Sequence, residues 1–401
     1  MGFDPAFRTG CKIAVVDETG KLLDFTTVFP TEPRNEIEAT KKELIALIEK
    51  HNINTIAIGN GTASRESEAI VAEMISEMDR KVYYTIVSEA GASVYSASKV
   101  ANDEYPDINV SIRGAISIAK RLQDPLAELV KIDPKHVGVG QYQHDLNQKK
   151  LDETLKGVVE DCVNTVGVDL NTASVSLLSY VAGVSAAVSK NIVEHREDIG
   201  KFSSRKDLLK VKRLGQATFV QCAGFLRIPN AENLLDNTSV HPESYKVAKA
   251  LLEKLDYSLE DVRDGKLSNI DRELNGKVDF EDIAKEFEVG IPTLQDIISE
   301  LKKPGRDPRE SLDAPILRSD ILKIEDLKEG IILTGTVRNV VDFGAFVDIG
   351  LDGDGLVHVS HLSDSFVKSP MSIVSVGDVV KVKILSIDIE KGRVGLSMKG
   401  L

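Results

Sequence analysis

Residues 335–363 constrain the fold of this chain more than any other stretch. Short apolar runs alternate with glycines there, and two aromatics, Phe343 and Phe346, flank Gly344. His358 follows on the next apolar run. Strand-length segments cut by turn residues predict a small antiparallel β-structure. Downstream, residues 379–384 alternate, setting Val380, Val382 and Ile384 on one face and Lys381 and Lys383 on the other. Asp388 and Arg393 flank the turn before a last strand, 393–398. Aromatic rings exposed on such a surface hold unstacked bases, because every base has a π-face. The alternative is that both rings are core residues. Phe343 sits in the polar corner Asp342-Phe343-Gly344, which favours exposure.

This order of residues, from Leu327 to Lys399, resembles the S1-type RNA-binding domain, a variant of the OB-fold barrel. The resemblance implies that Phe343, Phe346, His358, Asp388 and Arg393 line an RNA-binding face. Lys381 and Lys383 join them as candidate phosphate contacts from the alternation alone.

A chain of 401 residues exceeds one ordinary core, so several domains are expected. No apolar run approaches the roughly 20 residues of a membrane span, and no signal peptide is visible. Cys11, Cys162 and Cys222 are widely spaced and form no metal-ligand pattern. They read as small core hydrophobes in a reducing, cytoplasmic setting. The net charge of −13 argues against indiscriminate coating of nucleic acid. The charge is uneven: residues 165–235 form the one positive block, with −8 in residues 236–326 after it. A basic patch in an acidic chain is where a phosphate backbone docks.

At the N-terminus, residues 12–16 and 22–29 read as a hairpin, 35–51 as a helix, 55–59 as a strand and 64–78 as a helix capped by Ser64. Then come a strand at 83–87 and helices at 91–103 and 111–122. Strands alternating with helices predict an α/β domain with a mixed sheet. Asp4 stands before the hairpin, Glu89 after the 83–87 strand and Asp124 at the end of the last helix. Two-metal nucleases of the ribonuclease-H fold gather three or four carboxylates from such elements. The segment resembles the YqgF-like branch of that fold. The resemblance makes Asp4, Glu89 and Asp124 candidate catalytic acids, with Mg²⁺ as the cofactor of that alternative only. Asp4-Pro5-Ala6 replaces the family's Asp-Pro-Gly, and Glu128 is the one further acid near Asp124. Only Met1-Gly2-Phe3 precedes Asp4, so the central strand is expected to be largely missing and the chain to be the C-terminal part of a longer protein.

Residues 136–144 read as an extended linker, and the chain from 149 to 235 as helices joined by glycine-bearing turns. Two of these turns repeat: Val181-Ala182-Gly183-Val184-Ser185 and Val211-Lys212-Arg213-Leu214-Gly215. They resemble tandem helix-hairpin-helix modules, which bind nucleic-acid backbones without reading sequence. Glycine permits a positive φ and close approach of backbone N–H groups to a phosphate. Gly183, Ser185, Lys212, Arg213 and Gly215 are the candidate contacts. Ser185 and Arg213 each stand where the family has glycine. Lys201, Arg205, Lys206 and Lys210 lie between the hairpins and add positive charge. The alternative is a structural helical bundle. Residues 236–326 read as an acidic helical segment, broken at 303–308.

The predicted architecture is therefore multidomain: a ribonuclease-H-like mixed α/β sheet (1–133), a linker (134–148), an all-α tandem helix-hairpin-helix domain (149–235), an acidic helical segment (236–326) and an all-β OB-fold barrel of S1 type (327–401). Stretches such as Ile56-Ala57-Ile58-Gly59-Asn60-Gly61-Thr62-Ala63-Ser64 and Gly138-Val139-Gly140-Gln141-Tyr142-Gln143-His144-Asp145 carry a closer likeness. The chain resembles the bacterial Tex family of transcription accessory proteins over essentially its whole length. That resemblance implies an RNA-binding and possible DNA-binding protein acting around transcription. Expected partners are nucleic acid and the transcription or translation machinery, with no membrane, small-molecule substrate, resident metal or other cofactor. The alternative is a metal-dependent nuclease of the junction-resolvase type.

Overall fold

The computed structural model describes residues 1–229, 231–263, 266–269, 280–302, 309, 316–318, 327–351, 354–365, 367, 369–388 and 392–401. The expected break at 303–308 lies outside them. The chain divides into two compact units, residues 1–125 with 313–401 and residues 126–312.

The first unit holds a five-stranded sheet in the order β3-β2-β1-β4-β5. The strands are β1 (Gly2–Asp4), β2 (Cys11–Val16), β3 (Leu22–Val28), β4 (Thr55–Gly59) and β5 (Tyr83–Val87). β1 is central, antiparallel to β2 and parallel to β4. This strand is three residues long: Gly2, Phe3 and Asp4 pair with β2, Gly2 and Phe3 also pair with β4, and the Met1 carbonyl accepts the Ala57 N–H. One face is covered by α1 (Ile37–His51) and α2 (Ser64–Ser76), which bury Leu44, Ile48 and Met74 against Phe3, Ile13, Ile56 and Ile58. The other face carries three further helices, α3 (Ala92–Ser96), α4 (Lys99–Glu104) and α5 (Val110–Gln123). α5 lies so close to β1 that a Cβ on Gly2 would sit 2.1 Å from the Ala115 carbonyl.

Two local expectations change. Ser64 does not cap α2; Ala63 takes the boundary in a left-handed conformation with φ 64°. The helix expected at 91–103 breaks, because the Ser98 side chain accepts the Ala101 N–H and starts α4 afresh.

In the same unit five strands close a barrel in the order β10-β12-β11-β8-β9. They are β8 (Ile332–Val341), β9 (Gly344–Asp348), β10 (Gly355–His358), β11 (Val379–Asp388) and β12 (Arg393–Ser397). Val337, Val347, Val357, Val382, Ile384, Val394 and Leu396 fill it. Closure leaves no free sheet edge.

The second unit is helical. α6 (Pro125–Leu129) leads into it, and α7 (Gln148–Val166), α8 (Val175–Leu178), α9 (Ala186–Ile199) and α10 (Gln216–Cys222) pack around Val163, Leu178, Ile192, Leu208 and Phe219. A two-residue parallel ladder, β6 (Val168–Asp169) with β7 (Leu226–Arg227), was not expected. The 136–144 stretch is not extended: it forms single 3-10 turns at Pro134–His136 and Gln143–Asp145. Gln143 folds it back, accepting from Gly140 N–H and donating to the Lys135 carbonyl. α11 (Tyr245–Lys254) and the helices Phe280–Phe287 and Ile291–Lys302 bring Leu251, Leu294 and Ile298 to a separate core. Cys11 and Cys222 are buried as expected of small hydrophobes, but Cys162 is exposed.

Arg205 does not belong to a surface patch. It is 1% exposed, and its guanidinium donates to the carbonyls of Leu226, Leu235, Thr238 and Val240 and to Tyr245 Oη. Its own N–H reaches Asp236 at 3.0 Å. Removing it leaves buried acceptors unpaired, which costs far more than one surface contact. Arg205→Leu is expected to lose at least about 3 kcal/mol of stability, read as a lowered urea midpoint of the helical unit.

Candidate nucleic-acid interface

The barrel's candidate face starts from one close backbone contact. Gly344 pairs with His358, and a Cβ there would lie 2.2 Å from the Val357 carbonyl. Only glycine lets β9 and β10 approach so closely. Phe343, just before this contact, is turned out of the barrel and is 52% exposed. Phe346 is half-buried beside it, edge-on at 6.2 Å and 86°. His358 is exposed, and its Nδ1 is held by Ser360 Oγ at 2.8 Å. The two rings and the imidazole thus form one outward group.

The register places the other candidates. Leu356 is the partner of Phe346 on one side and of Gly395 on the other. Arg393 is two residues from Gly395 and so lies about 12 Å from Phe346 at ordinary strand spacing, while Asp388, opposite Arg393 on β11, is one strand further, roughly 16 Å away. Lys381 and Lys383 are exposed, as the alternation predicts. Lys383 faces Ser397, with β12 between it and His358, roughly 10 Å away. Lys381 faces Thr334 on β8, further from the rings. The structure brings Phe343, Phe346 and His358 together and distributes the charged candidates around them.

The two hairpins share one backbone design. Gly183 has φ 79° and Arg213, at the equivalent place, has φ 65°. Val181, Val184, Val211 and Leu214 are buried, and the intervening residues are exposed. Ser185 caps α9 by accepting the Val188 N–H at 3.3 Å. Gly215 starts α10 with no side-chain cap and no atom within 4 Å of where a Cβ would be. Of the nearby cations, Lys210 is paired with Asp207 at 2.8 Å, while Lys201, Lys206, Lys212 and Arg213 are exposed.

In the N-terminal sheet, Asp4 and Glu89 line one cavity of about 390 Å³. Gly114 faces Asp4, and Gly61 faces Glu89; a Cβ at either would collide with the carboxylate. Arg121 fixes the Glu89 segment by donating to the Ser88 and Ala90 carbonyls. Asp124 is placed elsewhere. It follows the end of α5, about 15 Å along the helix from Gly114, and does not line the cavity. Glu128 is not its companion: it is buried and paired with Lys131 at 2.9 Å. Lys12 lines the cavity as well, its ammonium held by Thr9 and Gly10. Among the described residues no three acid, histidine or cysteine side chains come together to hold a metal ion. Two carboxylates with a lysine do not fit a two-metal centre, and no step is derived through one.

Burial pushes the Asp4 carboxyl up to about 6, with the Glu89 charge adding to the effect and Lys12 opposing it. Burial likewise raises Glu89, against the Gly61 N–H and Arg121. The folded chain therefore holds the Asp4 proton more tightly than the unfolded chain does. The stability this contributes is complete below pH 3.8 and is lost as pH rises through about 6. Asp4→Asn is expected to be more stable than the parent at pH 8 by up to about 3 kcal/mol and equal to it near pH 4, read from denaturation midpoints at the two pH values.

Sequence reading missed three features. Arg318 pairs with Glu68 and Asp348, 250 and 30 residues away in the chain, and carries no local signal. The glycines around the two carboxylates are visible only in space. Residues 233–309 match a family model described as "HHH domain", which the acidic composition had obscured. Other family models match in turn: "Tex protein YqgF-like domain" at 1–123, "Helix-hairpin-helix motif" at 163–227 and "S1 RNA binding domain" at 326–399. "Uncharacterized protein YdcI" of Bacillus subtilis is 55% identical over 99% of this chain and 55% of its own length. "Protein tex" of Bordetella pertussis is 51% identical over 100% of this chain and 50% of its own length. "Transcriptional accessory protein Tex" of Neisseria gonorrhoeae is 50% identical over 100% of this chain and 51% of its own length. The chain spans about half the length of the curated relatives it matches. With this order of domains and relatives aligned from end to end of it, the chain belongs to the Tex family.

Proposed function

We propose that the chain is a nucleic-acid-binding accessory protein of transcription that grips single strands on its barrel and phosphate backbone on its helical hairpins. The observation that carries this reading is the outward pair Phe343 and Phe346 beside His358. Bases stack on the rings. Arg393, Lys383 and Lys381 meet phosphates along the same strand, and Asp388 lines the face opposite Arg393. At the helical hairpins, exposed backbone N–H groups around Gly183, Ser185, Arg213 and Gly215 approach phosphates, with Lys212 adding charge. The S1 and helix-hairpin-helix matches imply nucleic acid as the partner. The link to transcription comes from the names of relatives. Action in the cytoplasm beside the transcription or translation machinery belongs to the same proposal. Among the described residues no helix is long and apolar enough to cross a membrane.

Stacking contributes roughly 1–3 kcal/mol per base. Phe346→Ala is therefore expected to weaken binding of single-stranded RNA about tenfold, measured by filter-binding titration; an unchanged dissociation constant removes the stacking role. Phosphate contacts release counterions, so log K is expected to fall linearly with log salt. A flat plot eliminates backbone contact. Parallel titrations with single-stranded RNA, single-stranded DNA and duplex, each repeated on a chain lacking residues 327–401, identify the preferred nucleic acid and the barrel's share of the affinity.

A further inference from the structure

Arg318 ties together the two folded parts of the first unit. Its N–H and carbonyl exchange 2.8 Å hydrogen bonds with Tyr84 on the outer edge of β5. Its guanidinium reaches Glu68 of α2 at 3.1 Å and Asp348 of β9 at 2.9 Å. Arg338 of β8 holds the other Asp348 oxygen at 2.7 Å. The Arg318, Glu68 and Asp348 side chains are 13%, 16% and 10% exposed. Charges this far from water need each other. Burial works against the Asp348 carboxylate, yet Arg318, the Gly350 N–H and Arg338 together hold it below the usual range.

This cluster adjoins the stacking face. Asp348 and Phe346 alternate on β9 and so point to the same side, about 7 Å apart. Arg338 precedes Asn339, the β8 partner of Phe346. Arg338 is 31% exposed and, with Glu68 and Asp348, lines an open cleft of about 400 Å³. A phosphate following a base stacked on Phe346 comes within roughly one Debye length, about 8 Å, of these groups. It repels Asp348 and competes with that carboxylate for the Arg318 guanidinium, and both effects weaken the ion pair that holds Arg318.

We propose that Arg318 latches the barrel onto the N-terminal α/β sheet, and that single-stranded nucleic acid on the Phe343–Phe346 face loosens this latch. The inference rests on the stacking reading above. Linkage makes the effect reciprocal: whatever loosens the latch favours binding by the same factor. Arg318 acts here as a positioning residue and need not touch the strand.

The test uses the full chain and a single-stranded RNA of about 12 nucleotides, with hydrogen exchange read at Tyr84 N–H, which is bonded to the Arg318 carbonyl. Arg318→Ala is expected to speed that exchange at least about tenfold while leaving Ala57 N–H, in the sheet centre, unchanged. Saturating RNA is expected to speed it about threefold or more in the unmodified chain, and Arg318→Ala to bind RNA about threefold tighter. Glu68→Gln repeats both measurements with the arginine intact, should Arg318→Ala unfold. RNA that slows Tyr84 exchange or leaves it unchanged overturns the coupling, as does unaltered RNA affinity in both variants. If Phe346→Ala weakens RNA binding while RNA leaves Tyr84 exchange unmoved, only the latch fails. If Phe346→Ala binds like the unmodified chain, the stacking reading fails, and the latch coupling fails with it.

Discussion

The contact between Gly344 and the Val357 carbonyl governs the candidate face. Two strands meet there closer than any side chain allows, with a Cβ at Gly344 only 2.2 Å from the carbonyl oxygen. The pairing of β9 with β10 helps to close the barrel, so that each barrel strand has a neighbour on both sides. Because β9 begins at that glycine, the preceding Phe343 cannot enter the core and stands in solvent. Its backbone is still tied down, since its carbonyl accepts the Val359 N–H at 2.8 Å. A rigid backbone under an exposed ring lowers the entropy lost when a base stacks on it. One steric constraint thus links the fold of the barrel to the chemistry of its surface.

The helical hairpins reach a similar end by a different compromise. Both need a residue with positive φ, and only the first uses glycine. Arg213 accepts a conformation that costs a side-chain-bearing residue roughly 1–2 kcal/mol. In return the second hairpin carries a guanidinium at its tip beside Lys212. The first hairpin has no cation at its tip, and its Ser185 takes up one of the N–H groups that start α9. The second leaves the start of α10 without a side-chain cap. The pair is therefore electrostatically unequal, although its backbone repeats.

Much of the architecture was legible in the sequence because it rests on periodicity and punctuation. The strand at 55–59 follows from an apolar run buried on both faces, and the β11 lysines follow from period two. The positive-φ turn at Gly183 follows from glycine chemistry. What escaped depended on distance in space. Asp124 stands past the end of its helix, away from the cavity that Asp4 and Glu89 line, and periodicity fixes only the angle around a helix axis, not the height along it. Arg205 looked like one of a basic run; its burial is set by carbonyls from residues 226–240, which no local pattern announces. β1 is as short as the sequence suggests, and its place in the sheet comes from its partners β2 and β4, whose own patterns are strong.

The charge distribution bears on how an acidic chain would bind a polyanion as proposed. With a net charge of −13, the long-range field opposes association. Beyond about 8 Å that field is screened at physiological salt, so the local surface decides. In the positive block, Arg205 is buried and Lys210 is neutralised by Asp207. The side-chain cations left to meet phosphate are fewer than composition suggests. In the proposed mode, elements that carry no net charge then add to the exposed cations: backbone N–H groups at the hairpin tips and ring faces on the barrel. Ring stacking as proposed would favour unstacked, single-stranded segments over smooth duplex, because only there are base faces open to Phe343 and Phe346. The same acidity penalises loose, non-specific coating, so the net charge and the stacking face select in one direction.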